Sequence, residues 1–245
     1  MSSSSAGSLA ADGAARTALP RSGYLHLVAL SVFWGLNWPV MKFSMTEIPV
    51  WNYRAVCLLG GALGLAGLAA ASGQRVRLRA GELRPLMLCT LFNMVGWHML
   101  AGYAISQMEA GRGAIVAFTM PLWAALMGAF LLREPLRPRV LVGLLLGLGG
   151  IAVLLSDDLS AMSRSPLGTL LMLAAAFCWG LGTVLTKRFA PAMPVLSFAA
   201  WQCALALPVL LPGMLLLEGL ADYGSISLEV WGALAYSIGI CMLFC

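Results

Sequence analysis

Eight stretches of the chain run without a single Asp, Glu, Lys or Arg: 24–41, 55–74, 85–108, 113–132, 140–156, 165–186, 189–217 and 230–245. About 20 apolar residues carry an α-helix across the hydrocarbon of a bilayer, so each run predicts one transmembrane helix. Barrel strands would be about half as long and would alternate apolar with polar positions, which these runs do not. The pattern therefore predicts an all-α, polytopic membrane protein of eight spans.

Composition agrees. With 60% hydrophobic and 10% charged residues and a mean hydropathy of +0.88, the chain has too little polar surface to enclose a soluble core. The positive charges then set an orientation. If residues 1–23 lie inside, so do Arg16, Arg21, Arg75, Arg77, Arg79, Arg84, Arg133, Arg137, Arg139, Lys187 and Arg188, leaving Lys42, Arg54, Arg112 and Arg164 outside. That asymmetry over short loops predicts a cytoplasmic N-terminus and accounts for the net charge of +5 without nucleic acid as a partner. Residues 1–23, rich in Ser, Ala and Gly and lacking the apolar core of a signal peptide, are expected to be a disordered cytoplasmic tail, with an organellar transit peptide as the alternative. Cys57, Cys89, Cys178, Cys203, Cys241 and Cys245 all sit in apolar runs without metal-ligand or CxxC spacing and read as free buried thiols.

The runs also repeat. Trp34-Gly35-Leu36 and Lys42 return 145 residues later as Trp179-Gly180-Leu181 and Lys187, and Pro49-Val50 returns as Pro194-Val195. A period that long is a duplicated multi-helix module. An odd number of spans separates the copies, so the modules are expected to be inverted in the membrane, the architecture of secondary transporters with a site near the midplane.

Polar and aromatic residues at membrane depth mark where such a site would lie, because they are costly unless they face partners or a wet cavity. Trp34, Asn37, Trp38 and Met41 share one face of span 1, beside a kink expected at Pro39. Span 3 carries Thr90, Asn93 and Trp97 on one face and His98 beyond it. Span 4 carries Thr119 and Trp123 around Pro121, a second expected kink, and span 6 carries Trp179 and Thr183. Trp34, Asn37, Asn93, Trp97, His98, Thr119, Trp123, Trp179 and Thr183 are therefore the expected substrate-binding set. Packing or belt roles compete for the tryptophans, and a packing role competes for His98. Arg54, at the start of span 2, is expected either to pair with Glu47 or to attract an anionic ligand. The glycines of span 2 (Gly60, Gly61, Gly64, Gly67) and span 5 (Gly143, Gly147, Gly149, Gly150) read as packing positions. With no carboxylate at membrane depth, transport would be facilitated or proton-linked through His98, and sodium coupling is disfavoured.

The Trp-Gly opening of a repeated five-helix unit, Arg54, Glu109-Ala110-Gly111-Arg112 leading to Pro121, Arg133-Glu134-Pro135 and the glycine-spaced fifth span together resemble the EamA family of the drug/metabolite transporter superfamily. Arg54, Gly111, Pro121, Glu134, Lys42 and Lys187 carry that likeness. It implies a ten-helix exporter of small metabolites, amino acids or drugs, with a central cavity between inverted halves, in a bacterial inner membrane. Residues 24–156 match a first complete five-helix repeat, and 166–245 match spans 6 to 8 of a second. The counterpart of Glu109 would fall at position 254, so eight of ten helices are expected here, and the chain reads as C-terminally truncated. A non-transporting fragment or partner subunit, completed by a second copy or a complementing chain, is the alternative function.

Enzymatic readings fare worse. No Walker glycine pattern precedes Lys42 or Lys187, and neither HExxH, GxSxG nor an acid pair at membrane depth occurs. Asp157-Asp158 has no closing acid at Ala161. No catalytic residue, cofactor or metal site is expected; the expected partners are a small-molecule substrate and the lipid bilayer.

Overall fold

The computed structural model describes residues 21–156, 165–189 and 192–244. Among them there is no strand, and eight helices account for the eight apolar runs. They are α1 (Arg21–Ser44), α2 (Val50–Ala71), α3 (Leu83–Gln107), α4 (Ala110–Leu132), α5 (Pro138–Ser156), α6 (Pro166–Phe189), α7 (Val195–Glu218) and α8 (Leu228–Met242). Six are long and apolar enough to cross a membrane; α5 and α8 are shorter over their described residues. Helix α1 begins at Arg21, so the last three residues of the expected tail are helical, and the rest of that tail lies outside the described residues, as does the Asp157-Asp158 loop.

Matching residues of the two copies do matching local work. Pro49 and Pro194 take the same extended conformation immediately before α2 and α7, at φ −58°, ψ 155° and φ −56°, ψ 145°. Each ring fixes φ and leaves the first turn of its helix to the residues that follow. The third helix of each copy widens into a π-turn at almost the same place, Leu91–Gly96 in α3 and Ser237–Met242 in α8. The tertiary pairings exchange in the same way: α2 packs on its own counterpart α7, and α3 on α6 answers α8 on α1.

Pro39 lies inside an unbroken α1. At Pro121 the effect is larger. Helix α4 divides into Ala110–Ala117 and Met120–Leu132 around a turn at Phe118 and Thr119. Pro121 has no amide to continue the ladder, and the Thr119 hydroxyl donates to the Val116 carbonyl at 2.8 Å.

Three of the four glycines of α2, Gly60, Gly61 and Gly64, take up the close packing their spacing suggested, whereas Gly67 faces open space. A Cβ on Gly60 would meet Ile238 of α8 at 2.6 Å and one on Gly64 would meet Leu243, just past the end of α8, at 2.6 Å. Those of α5 do not: Gly143, Gly147, Gly149 and Gly150 have no neighbour within 4 Å, because α5 touches little beyond the first half of α4.

Candidate functional site

Helices from both copies (α1, α2, α3, α6, α7 and α8) enclose a cavity of about 370 Å³, within the range of small-molecule sites. One wall is aromatic. Trp38 and Trp97 meet edge to face with ring centroids 6.3 Å apart, and Trp97 meets Trp179 at 5.2 Å, joining α1, α3 and α6. These separations are those of mutually stabilising ring pairs. Trp34, Asn37 and Met41 extend the wall along one face of α1.

Arg54 faces this wall from the first turns of α2, only 6% exposed. Its Nη1 donates to His98 Nδ1 at 3.2 Å and its Nη2 to the Met41 sulfur at 2.7 Å, while the buried Nε has no partner. A guanidinium only donates, so His98 accepts at Nδ1 and carries its proton on Nε2; the ring takes up a second proton only by giving up this bond. Gly102 of α3 makes room for the arrangement, since a Cβ there would lie 2.7 Å from Val50 and 3.3 Å from Arg54 Nε.

The two carboxylates near the N-terminal end of α2 are engaged elsewhere. Glu47 accepts the Ser227 amide and hydroxyl, each at 2.7 Å, and these bonds hold its carboxyl below the ordinary carboxylate range. Glu218 caps the start of α2, accepting the amides of Trp51 at 2.9 Å and Asn52 at 3.3 Å and the Asn52 side chain at 3.2 Å. The Arg54–Glu47 pair entertained from the sequence is therefore absent. Among the described residues Arg54 has no ion pair, and no Asp or Glu lines the cavity.

Of the expected binding set, Trp34, Asn37, Trp97, His98 and Trp179 come together here. The other four lie off the lining, each occupied by a helix contact or by its own backbone. Asn93 sits in the π-turn of α3, against Gly182 of α6, and donates to Thr186 at 3.5 Å. Thr119 is buried at the break in α4. Trp123 packs edge to face on Phe177 at 5.5 Å, and Thr183 is exposed and returns its hydroxyl to the Trp179 carbonyl at 2.9 Å. Among the family-motif residues, Lys42 donates to the carbonyls of Ile105, Ser106 and Met108 at the end of α3, while Lys187 pairs with Glu134 at the end of α4. Gly111 faces open space.

Lining residues that polarity alone did not mark include Tyr53, whose hydroxyl donates to Ser237 at 2.8 Å, and Ala199 and Met242. The repeat could have found the last two, since they stand 145 residues after Arg54 and Trp97. Among the described residues no group of three His, Cys, Asp or Glu side chains could hold a metal ion.

The sequence profile of the EamA-like transporter family matches residues 21–156 and 166–245. An aromatic amino acid exporter, YddG, from Ancylobacter novellus is 34% identical over 154 residues, covering 60% of this chain and 53% of its own length. A probable amino-acid metabolite efflux pump from Salmonella typhimurium is 29% identical over 212 residues, covering 83% of this chain and 66% of its own. The chain thus spans between about half and two-thirds of these two relatives. One solved crystal structure shares the fold with a TM-score of 0.66 at 23% identity, over 90% of this chain and 77% of the other.

Proposed function

The chain belongs to the EamA-like transporter family, and from that premise we propose that it is a secondary transporter exporting small metabolites, amino acids or drugs. The observation that carries this is Arg54, a buried cation without an ion pair among the described residues, set in an aromatic cavity built by helices of both copies. An unpaired buried charge is costly to the resting protein, and an intramembrane ionisable residue of this kind belongs on a substrate path. Trp34, Asn37, Trp97, His98 and Trp179, with Arg54, form the substrate site. Asn93 and Trp123 pack α3 and α4 onto α6 beside it, while the hydroxyls of Thr119 and Thr183 bond the backbone of their own helices.

Alternating access follows from rocking one copy against the other around the cavity, which both copies line. The exchange of pairings, α2 with α7 and α3–α6 with α8–α1, supports that reading. The arginine distribution supports a cytoplasmic N-terminus, and the relatives are bacterial, which supports the inner membrane of a bacterium as the location. Any proton coupling would run through His98 and would exchange its bond to Arg54 for a proton.

Reconstitution of the purified chain into proteoliposomes, with a panel of labelled amino acids and small aromatic acids, tests the reading. Saturable flux is expected, lost in Arg54→Gln and in Trp97→Ala. Absence of saturable flux for every member of the panel sinks the transport reading.

A further inference from the structure

The charge inventory of the cavity is one-sided. Arg54 brings a guanidinium with donors to spare, since of its five N–H groups the structure engages one with an imidazole nitrogen and one with a thioether, a weak acceptor. His98, accepting from Arg54 at Nδ1, presents a proton at Nε2. Among the described residues no Asp or Glu lines the cavity; Glu47, Glu82, Glu134 and Glu218 are held at helix ends by Ser227, Arg75, Lys187 and the first turn of α2. The Trp38–Trp97–Trp179 wall lines the same cavity as the guanidinium.

Resting on the transport reading above, we infer that the site takes an aromatic or strongly apolar monocarboxylate carrying no ammonium group. The carboxylate pairs with the Arg54 guanidinium, the planar fork that matches carboxylate geometry. The ring lies against the tryptophans, where offset and edge contacts are available. A zwitterionic amino acid brings the same carboxylate and ring, but its ammonium enters a water-poor cavity with no carboxylate and with a fixed guanidinium nearby. Coulomb repulsion in a low dielectric opposes it, and ring faces alone compensate weakly. An amine without a carboxylate meets the repulsion and gains nothing from Arg54. The complementarity rejects the wrong charge as much as it attracts the right one.

Four probes with one ring and similar short chains separate these cases: 3-phenylpropionate, phenylalanine, phenethylamine and the neutral 3-phenylpropanol. Binding is measured by calorimetry on the full chain in detergent. The expected order places 3-phenylpropionate about tenfold or more ahead of both phenylalanine and 3-phenylpropanol, with phenethylamine weakest. Arg54→Gln removes the advantage over 3-phenylpropanol, and Arg54→Lys keeps part of it. Phenylalanine or phenethylamine binding as tightly as 3-phenylpropionate overturns the inference. So does an unchanged order in Arg54→Gln, or no binding by any probe. If Arg54→Gln does not fold, the order on the unsubstituted chain decides the matter alone. Flux in proteoliposomes keeps the two readings apart: the expected order without flux removes the transport function and leaves the anion site, whereas flux with phenylalanine preferred removes the anion site and leaves the transporter.

Discussion

The two copies of the repeat share a frame and divide the labour. Equivalent positions line the same cavity, Trp34 with Trp179, Arg54 with Ala199 and Trp97 with Met242. The first copy supplies the charge and hydrogen-bonding groups, and the second supplies mainly apolar wall. A duplicated backbone can thus place counterparts across one cavity while only one side carries the chemistry, and a buried cation is tolerated once more readily than twice. The loops show the same division. Glu82 and Ser227 both stand immediately before the third helix of their copy. Glu82 is bonded by Arg75, which also reaches the Ala192 carbonyl at 3.1 Å, and Ser227 is bonded by Glu47, the counterpart of Ala192.

The sharpest way to break this comparison is at its charged pair of positions. Arg54→Gln should lower substrate affinity about ten- to hundredfold, the loss of one charge-assisted contact of about 1.5–3 kcal/mol. Its melting temperature should hold or rise, because an unpaired buried charge is removed. Ala199→Gln should change affinity less than about threefold, well under 1.4 kcal/mol. Proteoliposome flux and thermal unfolding on the same preparations check both; equal damage at the two positions would mean that the copies share the ligand.

Gly35 and Gly180 sharpen it at the level of packing. A Cβ at Gly180 would lie 2.7 Å from the Trp123 Cβ and 2.8 Å from the Ala124 amide nitrogen, whereas none of Gly35's surroundings comes within 4 Å. Gly180→Ala should cost about 1–3 kcal/mol by forcing α4 and α6 apart. Gly35→Ala should be neutral or stabilising by up to about 1 kcal/mol through helix propensity. Reversible unfolding in mixed micelles would reverse the argument if Gly35→Ala were the more damaging.

Lys42 and Lys187 give a smaller contrast. Lys42 closes the C-terminal end of α3 through three carbonyls at 2.7–3.2 Å, and a cation so placed offsets the helix dipole. Lys42→Met should cost about 1–2 kcal/mol. Lys187→Met, losing only its surface pair with Glu134, should cost less than about 1 kcal/mol. The same unfolding assay ranks the two.

The smallest expected effect is on pH. The Arg75 guanidinium and the Arg79 amide hold the Glu82 carboxyl down from 4.5 to about 2. A depressed carboxylate stabilises the fold above its unfolded value and loses that contribution as pH falls from about 4.5 towards 2. Glu82→Gln should flatten the acid limb of the melting-temperature profile and leave neutral pH nearly unchanged. A parallel acid limb in the variant would count against the pair as its source.

Much of the fold was legible along the chain because a bilayer forces it: in hydrocarbon every backbone amide must be paired within its own segment, so charge-free runs of this length must be helices. The 145-residue repeat was legible for the same reason that prolines and Trp-Gly pairs are, since they punctuate backbone geometry locally. The candidate site was half legible. Polar and aromatic type singled out Trp34, Asn37, Trp97, His98 and Trp179, which do meet across the cavity. It also singled out Asn93, Thr119, Trp123 and Thr183, whose hydrogen bonds and ring contacts are made instead to neighbouring helices or to their own backbone.

What the sequence determined by itself is local and solvent-driven: helix number, the punctuation at Pro49, Pro121 and Pro194, and membership of a duplicated membrane architecture. What only the tertiary structure decided is which of two partners each polar group takes. Arg54 could reach a carboxylate or a cavity, and it faces the cavity because Glu47 is committed to Ser227 and Glu218 to the first turn of α2. Spacing along one helix fixes the face a residue occupies, but its partner depends on packing between helices far apart in sequence, and that is set by small residues such as Gly102, Gly180 and Gly182 that let one particular neighbour approach.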